Sequence, residues 1–179
     1  MSPQPILHFW FSELTPQQHF AKDATLDESI RTRFGPTLDA AARCELFAWR
    51  ATPEGRLAEI LVLDQFSRNV YRDTARAFAQ DALALALAQE LVASGQDRNL
   101  PTAQRVFAYM PYMHSESALI HEQALELFAQ PGMENNLDFE RRHKAIIDRF
   151  GRYPHRNAML GRTSTPEELA FLNEPGSSF

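Results

Sequence analysis

Apolar residues along this chain recur every three or four positions, the spacing of one face of an α-helix. Ile6, Phe9 and Trp10 keep that spacing in a short segment ending near Phe11, after Pro3 and Pro5, which suit a helix start. Thr15-Pro16 opens a further short turn or helix. Asp23 to Ala42 carries Leu26, Ile30 and Phe34 four apart. There Gly35-Pro36 either breaks the helix or opens a second one with Pro36 in its first turn. Cys44 to Ala51 reads as a short turn anchored by Leu46, Phe47 and Trp49. Thr52-Pro53-Glu54 is a helix start, with Thr52 as N-cap, proline first and an acid in the first turn. That helix should run to about Val70.

Later segments follow the same logic. Asp81 to Ala93 is a regular Ala/Leu helix closed by Gly95. Thr102 to Tyr109 follows Pro101, and Met110-Pro111 ends it. His114 to Ser117 starts a helix to about Gln130 with the stripe Ile120, Ala124, Leu127 and Phe128, and Pro131-Gly132 stops it. Leu137 to Phe150 is the last long helix, with Phe139, Ile146, Ile147 and Phe150 on its apolar face and His143 on the same stripe. Thr165 and Glu168 have capping-box spacing and open a short terminal helix, after which Phe179 offers an apolar anchor. No alternating strand pattern and no Asn-Gly or Asp-Gly hairpin signal occurs. The chain reads as one all-α domain over residues 1–179, built of stacked antiparallel helical hairpins. No two segments match the tetratricopeptide consensus, whose period is about 34 residues.

The stripe Leu57, Ile60, Leu61 reaches Asp64 one turn later and Arg68 the turn after. A carboxylate and a guanidinium stand where an apolar face should continue. Burying either alone would cost several kcal/mol, so they pair with each other, pair elsewhere or line a cavity. Gln65, Asn69 and Arg72 add polar groups at the same helix end.

Charge sharpens the picture at one place. Seven of the 18 Lys+Arg lie between Arg141 and Arg162, against a single Asp there, in a chain of net charge -5. Arg149, Arg152, His155, Arg156, Asn157 and Arg162 surround Gly151 and Pro154, which prevent a continuous helix. This turn could gather guanidinium groups around a phosphate or carboxylate. The competing reading is an arginine cluster tying the last helices to acids such as Asp64 and Glu116. Net negative charge disfavours nucleic acid, although Phe150 and Tyr153 lie in the basic stretch. Cys44 is the only cysteine, which excludes an internal disulfide or a cysteine zinc site and points to a reducing, cytoplasmic setting. The N-terminus has neither a basic start nor a long apolar run, so neither a signal peptide nor a membrane span is expected.

His114, Glu116 and His143 could serve acid–base chemistry, but their spacing fits no metal motif, and on a helix His114 and Glu116 would face apart. His8, His19 and His121 read as hydrogen-bonded core residues. No nucleophile elbow, phosphate loop or dinucleotide fingerprint is present, and no cofactor can be named. The site expected from chemistry therefore has Asp64, His143 and His114 as acid–base candidates. Arg68, Arg149, Arg152, His155, Arg156 and Asn157 are its ligand-binding candidates, and no metal ligands are assigned. The partner expected is a small anionic molecule, and hydrolysis or transfer at an ester or phosphate is the class to test if the protein is an enzyme; a helical scaffold binding a peptide is the alternative.

The segments LHFWF, LVLDQFSRNVYR, FAYMPYMHSE and RFGRYPHRNAMLGRTSTPEELAFL together resemble a bacterial family catalogued as domain of unknown function 924. The resemblance spans nearly the whole chain. It implies an α-helical array related to tetratricopeptide repeats, and it carries no reaction or catalytic residue with it.

Overall fold

Residues 1–178 are described by a computed structural model, which leaves Phe179 and its anchoring role outside the described residues. Helix α1 (Gln4–His8) runs directly into a π turn (Phe9–Glu13) and buries Ile6, Phe9 and Trp10. α2 (Ala24–Ala42) starts at an Asp23 side-chain cap and continues unbroken through Gly35-Pro36. The interruption expected there does not occur. Leu26, Ile30, Phe34 and Leu38 stay on one buried stripe, and their packing outweighs the cost of an internal proline.

The central element is a helical run from Pro53 to Val70. Thr52 caps α3 (Pro53–Leu61) by accepting from Gly55 N–H; a π turn (Val62–Phe66) follows, then α4 (Ser67–Val70). Its length matches the expectation, but its regularity does not. The π turn adds a residue to the helical cycle, and every residue from Leu57 to Ser67 is buried. α3 packs on α1, on α5 (Asp81–Ala93) and on α6 (Thr102–Met113). α6 continues through Pro111, a second expected break that is absent; Val106 to Met113 are all buried, and tertiary packing again overrides local preference.

Residues 114–117 form a loop, where a helix start was expected; α7 begins at Ala118 and ends at Phe128. α8 (Glu134–Phe150) packs, after the short Pro131-Gly132 connection, against α7 and more lightly against α6. Phe139 lies off its buried face, 48% exposed, with the Arg142 guanidinium carbon 5.5 Å from its ring centroid. Phe47 is 70% exposed, so Leu46 and Trp49 alone anchor their turn. Past Gly151, in the left-handed region, the chain turns through Pro154–Arg156 to α9 (Pro166–Phe171), whose Thr165–Glu168 capping box forms as expected. Ile146, Ile147 and Tyr153, with Phe150 and Phe171, make a small apolar cluster separate from the main core. Among the described residues the fold is all-α, and no helix is long and apolar enough to cross a membrane.

Candidate functional site

Asp64 lies at the middle of the π turn with none of its surface exposed. His114 Nδ1 donates to Asp64 Oδ1 at 2.7 Å, Gln65 Nε2 donates to Oδ2 at 2.6 Å, and Arg68 Nη1 lies 3.0 Å from Oδ1. Burial opposes ionisation of Asp64, but the Arg68 charge and the His114 and Gln65 donors outweigh it and hold the carboxyl well below the usual carboxylate range. Burial and the Arg68 charge push His114 down, against the pull of Asp64. The pair is therefore a carboxylate accepting from a neutral imidazole whose proton is on Nδ1. His114 Nε2 has no hydrogen-bond partner among the described residues and is not a buried atom, so it reaches the surface as an acceptor.

Arg68 carries the network outward. Its fork donates to Asp81 at 2.8 and 3.0 Å, and its Nη1 also donates to the Asp64 carbonyl at 2.9 Å. Asp81, the first residue of α5, receives a second guanidinium: Arg156 Nη1 reaches Oδ2 at 3.3 Å. Arg156 is only 6% exposed, with its Cζ 4.6 Å from the ring centroids of both Phe78 and Tyr153. Its Nε is buried without a partner, and burial pushes the guanidinium pKa down. A buried cation with one long hydrogen bond and two aromatic faces is poorly compensated.

Tyr153 anchors the inner wall. Its hydroxyl donates to Met113 O at 2.6 Å, its N–H donates to Glu116 Oε1 at 2.8 Å, and its ring is flanked by those of His121, His143 and His155. His121 and Glu140 are both fully buried and meet at 2.6 Å, and the other His121 nitrogen lies 2.9 Å from Ser115 O. Two acceptors thus face the ring's two nitrogens, which fastens the 114–117 loop to α8.

The nine residues proposed from sequence divide. Asp64, His114, Arg68 and Arg156 meet in one network, and His155 abuts it through Tyr153. His143 lies behind the Tyr153 ring, 6% exposed, bonding Phe139 O through Nδ1. Arg149 points elsewhere, over Phe150 and onto Glu167. Arg152 grips Glu168 with two bonds, and Asn157 donates to Ser164 and Glu168 while accepting from Arg162. Arg162 takes Glu116 through two bonds at 2.6 and 2.9 Å. The basic island is thus divided: Arg156 joins the Asp81 network, Arg162 reaches Glu116 in the 114–117 loop, and Arg149 and Arg152 tie within the C-terminal segment. Arg72 and Asn69 turn to Asp27 on α2 rather than to Asp64. His19 stacks on Trp10, His121 is core, and His8 is exposed, contrary to its core reading.

Asp81, Phe78 and Glu140 were missed, and Tyr153 was noted only as an aromatic in the basic stretch. Asp81 reads from sequence as an ordinary first-turn acid, and the others as core or surface; only tertiary contact assembles them. Among the described residues no group of three His, Cys, Asp or Glu side chains is arranged to hold a metal ion. Two surface depressions, of about 540 Å³ beside Thr25 and Arg33 and about 460 Å³ beside Asp97 and Arg105, lie outside this network. We take the network, rather than these, as the candidate site because it joins an oriented imidazole to an under-satisfied cation.

A family model for a bacterial protein of unknown function (DUF924) matches residues 6–176. A solved structure of a protein of unknown function from Agrobacterium tumefaciens is 39% identical, covers 96% of each chain and superposes with a TM-score of 0.91. No curated protein sequence matches.

Proposed function

The chain belongs to this bacterial family, DUF924, and we propose that it binds a small anionic molecule at Arg68 and Arg156 and acts on it through the Asp64–His114 pair. The observation that carries the reading is Arg156, a buried guanidinium with one long carboxylate contact and an unpartnered Nε. An anion would supply the missing acceptors. His114 adds the chemistry. With its Nδ1–H held by Asp64, Nε2 is free to take a proton from water or a ligand hydroxyl and return it to a leaving oxygen, as in hydrolysis or group transfer. Asp64 orients the ring and stabilises the imidazolium that forms, without itself taking the proton. The lone, exposed Cys44 accords with a cytoplasmic protein.

The peptide-scaffold reading, with its tetratricopeptide-like array, draws on exposed apolar side chains such as Phe20, Phe47, Leu119 and Leu169. These sit on four different elements, so they favour it less than Arg156 favours a small ligand.

Isothermal titration with a panel of small carboxylates and phosphate monoesters tests the proposal. The wild type should bind at least one compound. Arg156→Gln should weaken that binding at least tenfold while keeping its helical signal, and His114→Gln should abolish turnover of whichever ligand is a substrate. Binding unchanged in Arg156→Gln, or absent across the panel, would overturn the proposal.

A further inference from the structure

We infer that the ligand enters through a carboxylate group, which takes the place that Asp81 holds between Arg68 and Arg156. This rests on the anion-site reading above and narrows its ligand class. Asp81 already puts a planar, two-oxygen group against the Arg68 fork, at 2.8 and 3.0 Å. Guanidinium forks match carboxylates in this side-by-side manner. Tethered to the start of α5, however, Asp81 reaches Arg156 only at 3.3 Å and leaves that cation poorly satisfied. A free carboxylate has no tether and can bridge both guanidinium groups.

Exchange is feasible on two grounds. The Arg68 and Asp81 side chains are each 20% exposed, so the seat opens to solvent. Once released, Asp81 stays in the first turn of α5, whose N-cap residue, Gln80, makes no side-chain cap. The unsatisfied N–H groups and the helix dipole there stabilise a carboxylate.

The test is rescue of Asp81→Ala by sodium acetate. Removing the carboxylate takes the one side-chain hydrogen bond of Arg156, leaves Arg68 with Asp64 alone, and lowers Tm. Acetate should restore it saturably, by roughly 5–10 °C at a hundredfold excess over Kd for a chain of this size. Sodium chloride at equal ionic strength should not, nor should acetate act on Asp81→Asn, which keeps the space filled, or on the double variant Asp81→Ala/Arg156→Gln. A rise that chloride reproduces, no saturable rise, or a rise with inorganic phosphate as large as with acetate would overturn the inference. Should Asp81→Ala fail to fold, the wild-type Arg156 Nε–H resonance carries the same test. It should move saturably with acetate, and a resonance that stays put overturns the inference. The two proposals fail separately. Phosphate monoesters bound by wild type and lost in Arg156→Gln, with no acetate effect, would sink the carboxylate and leave the site. No anion bound by any of these proteins would sink both.

Discussion

His143 shows at the scale of one residue how burial converts into a pH dependence. Burial drives its pKa down to about 3, with the hydrogen bond to Phe139 O pulling the other way and the nearby His114, His121 and Arg156 pushing further down. Its unfolded value is about 6.5. Stability from keeping this ring neutral is therefore whole above pH ~6.5 and is lost progressively as pH falls toward 3, at about 1.4 kcal/mol per pH unit. His155, lowered to about 4 by burial and then by the Arg156 charge, acts in the same direction. Urea unfolding between pH 4.5 and 7 should show the fall, and His143→Gln should reduce its slope by about one proton's worth. An unchanged slope would mean the ring titrates normally in the folded protein. The same burial bears on the site: His143 serves as a packed neighbour of Tyr153, while His114, with Nε2 at the surface, can meet a ligand. From sequence the two histidines were indistinguishable candidates, because periodicity places a residue on a face and cannot say which part of that face another segment will cover.

At the scale of elements, the run from Pro53 to Val70 decides where Asp64 lands, and its entry depends on Gly55. A Cβ there would lie 2.1 Å from the Trp49 carbonyl oxygen, which is backbone and cannot swing aside. Glycine to alanine inside a helix ordinarily stabilises by about 1 kcal/mol. Gly55→Ala should instead destabilise, by about 2 kcal/mol or more, since the turn Phe47–Ala51 must move to admit the methyl group. Thermal melts of the two proteins give the sign directly, and a stabilised variant would contradict the packing described. Thr52, Pro53 and the Thr165–Glu168 box were legible because caps depend on a few adjacent residues. The π turn was not, since it inserts its extra residue without any distinctive composition. Pro36 and Pro111 misled for a related reason: a proline's local cost is fixed, but the burial that offsets it depends on the rest of the fold.

For the whole molecule, the separation of two apolar clusters sets the order in which parts should open. The main core joins α1 to α7, whereas Tyr153, Ile146 and Ile147 form their own cluster with Phe150 and Phe171. What holds the segment after Gly151 to the rest is chiefly polar: Arg162 and Tyr153 N–H on Glu116, the Tyr153 hydroxyl on Met113 O, and Arg156 on Asp81. Arg156 and Arg162 of the basic island visible in the sequence belong to this clasp. The island's arginines were legible as a cluster, but their division between clasp and site was not, because Glu116 and Asp81 approach only through the fold. A segment docked by few apolar contacts opens at lower free energy than the core. Amide hydrogen exchange should therefore be faster across Tyr153–Leu172 than across α3 and α6. Arg162→Gln should speed it further, leaving α3 unchanged. Because the segment carries Arg156, the same variant should weaken anion binding in proportion to the fraction of molecules in which the clasp is open. If exchange in α3 accelerates equally, the clasp and the core unfold as one unit, and access to the site cannot be governed by the C-terminal segment alone.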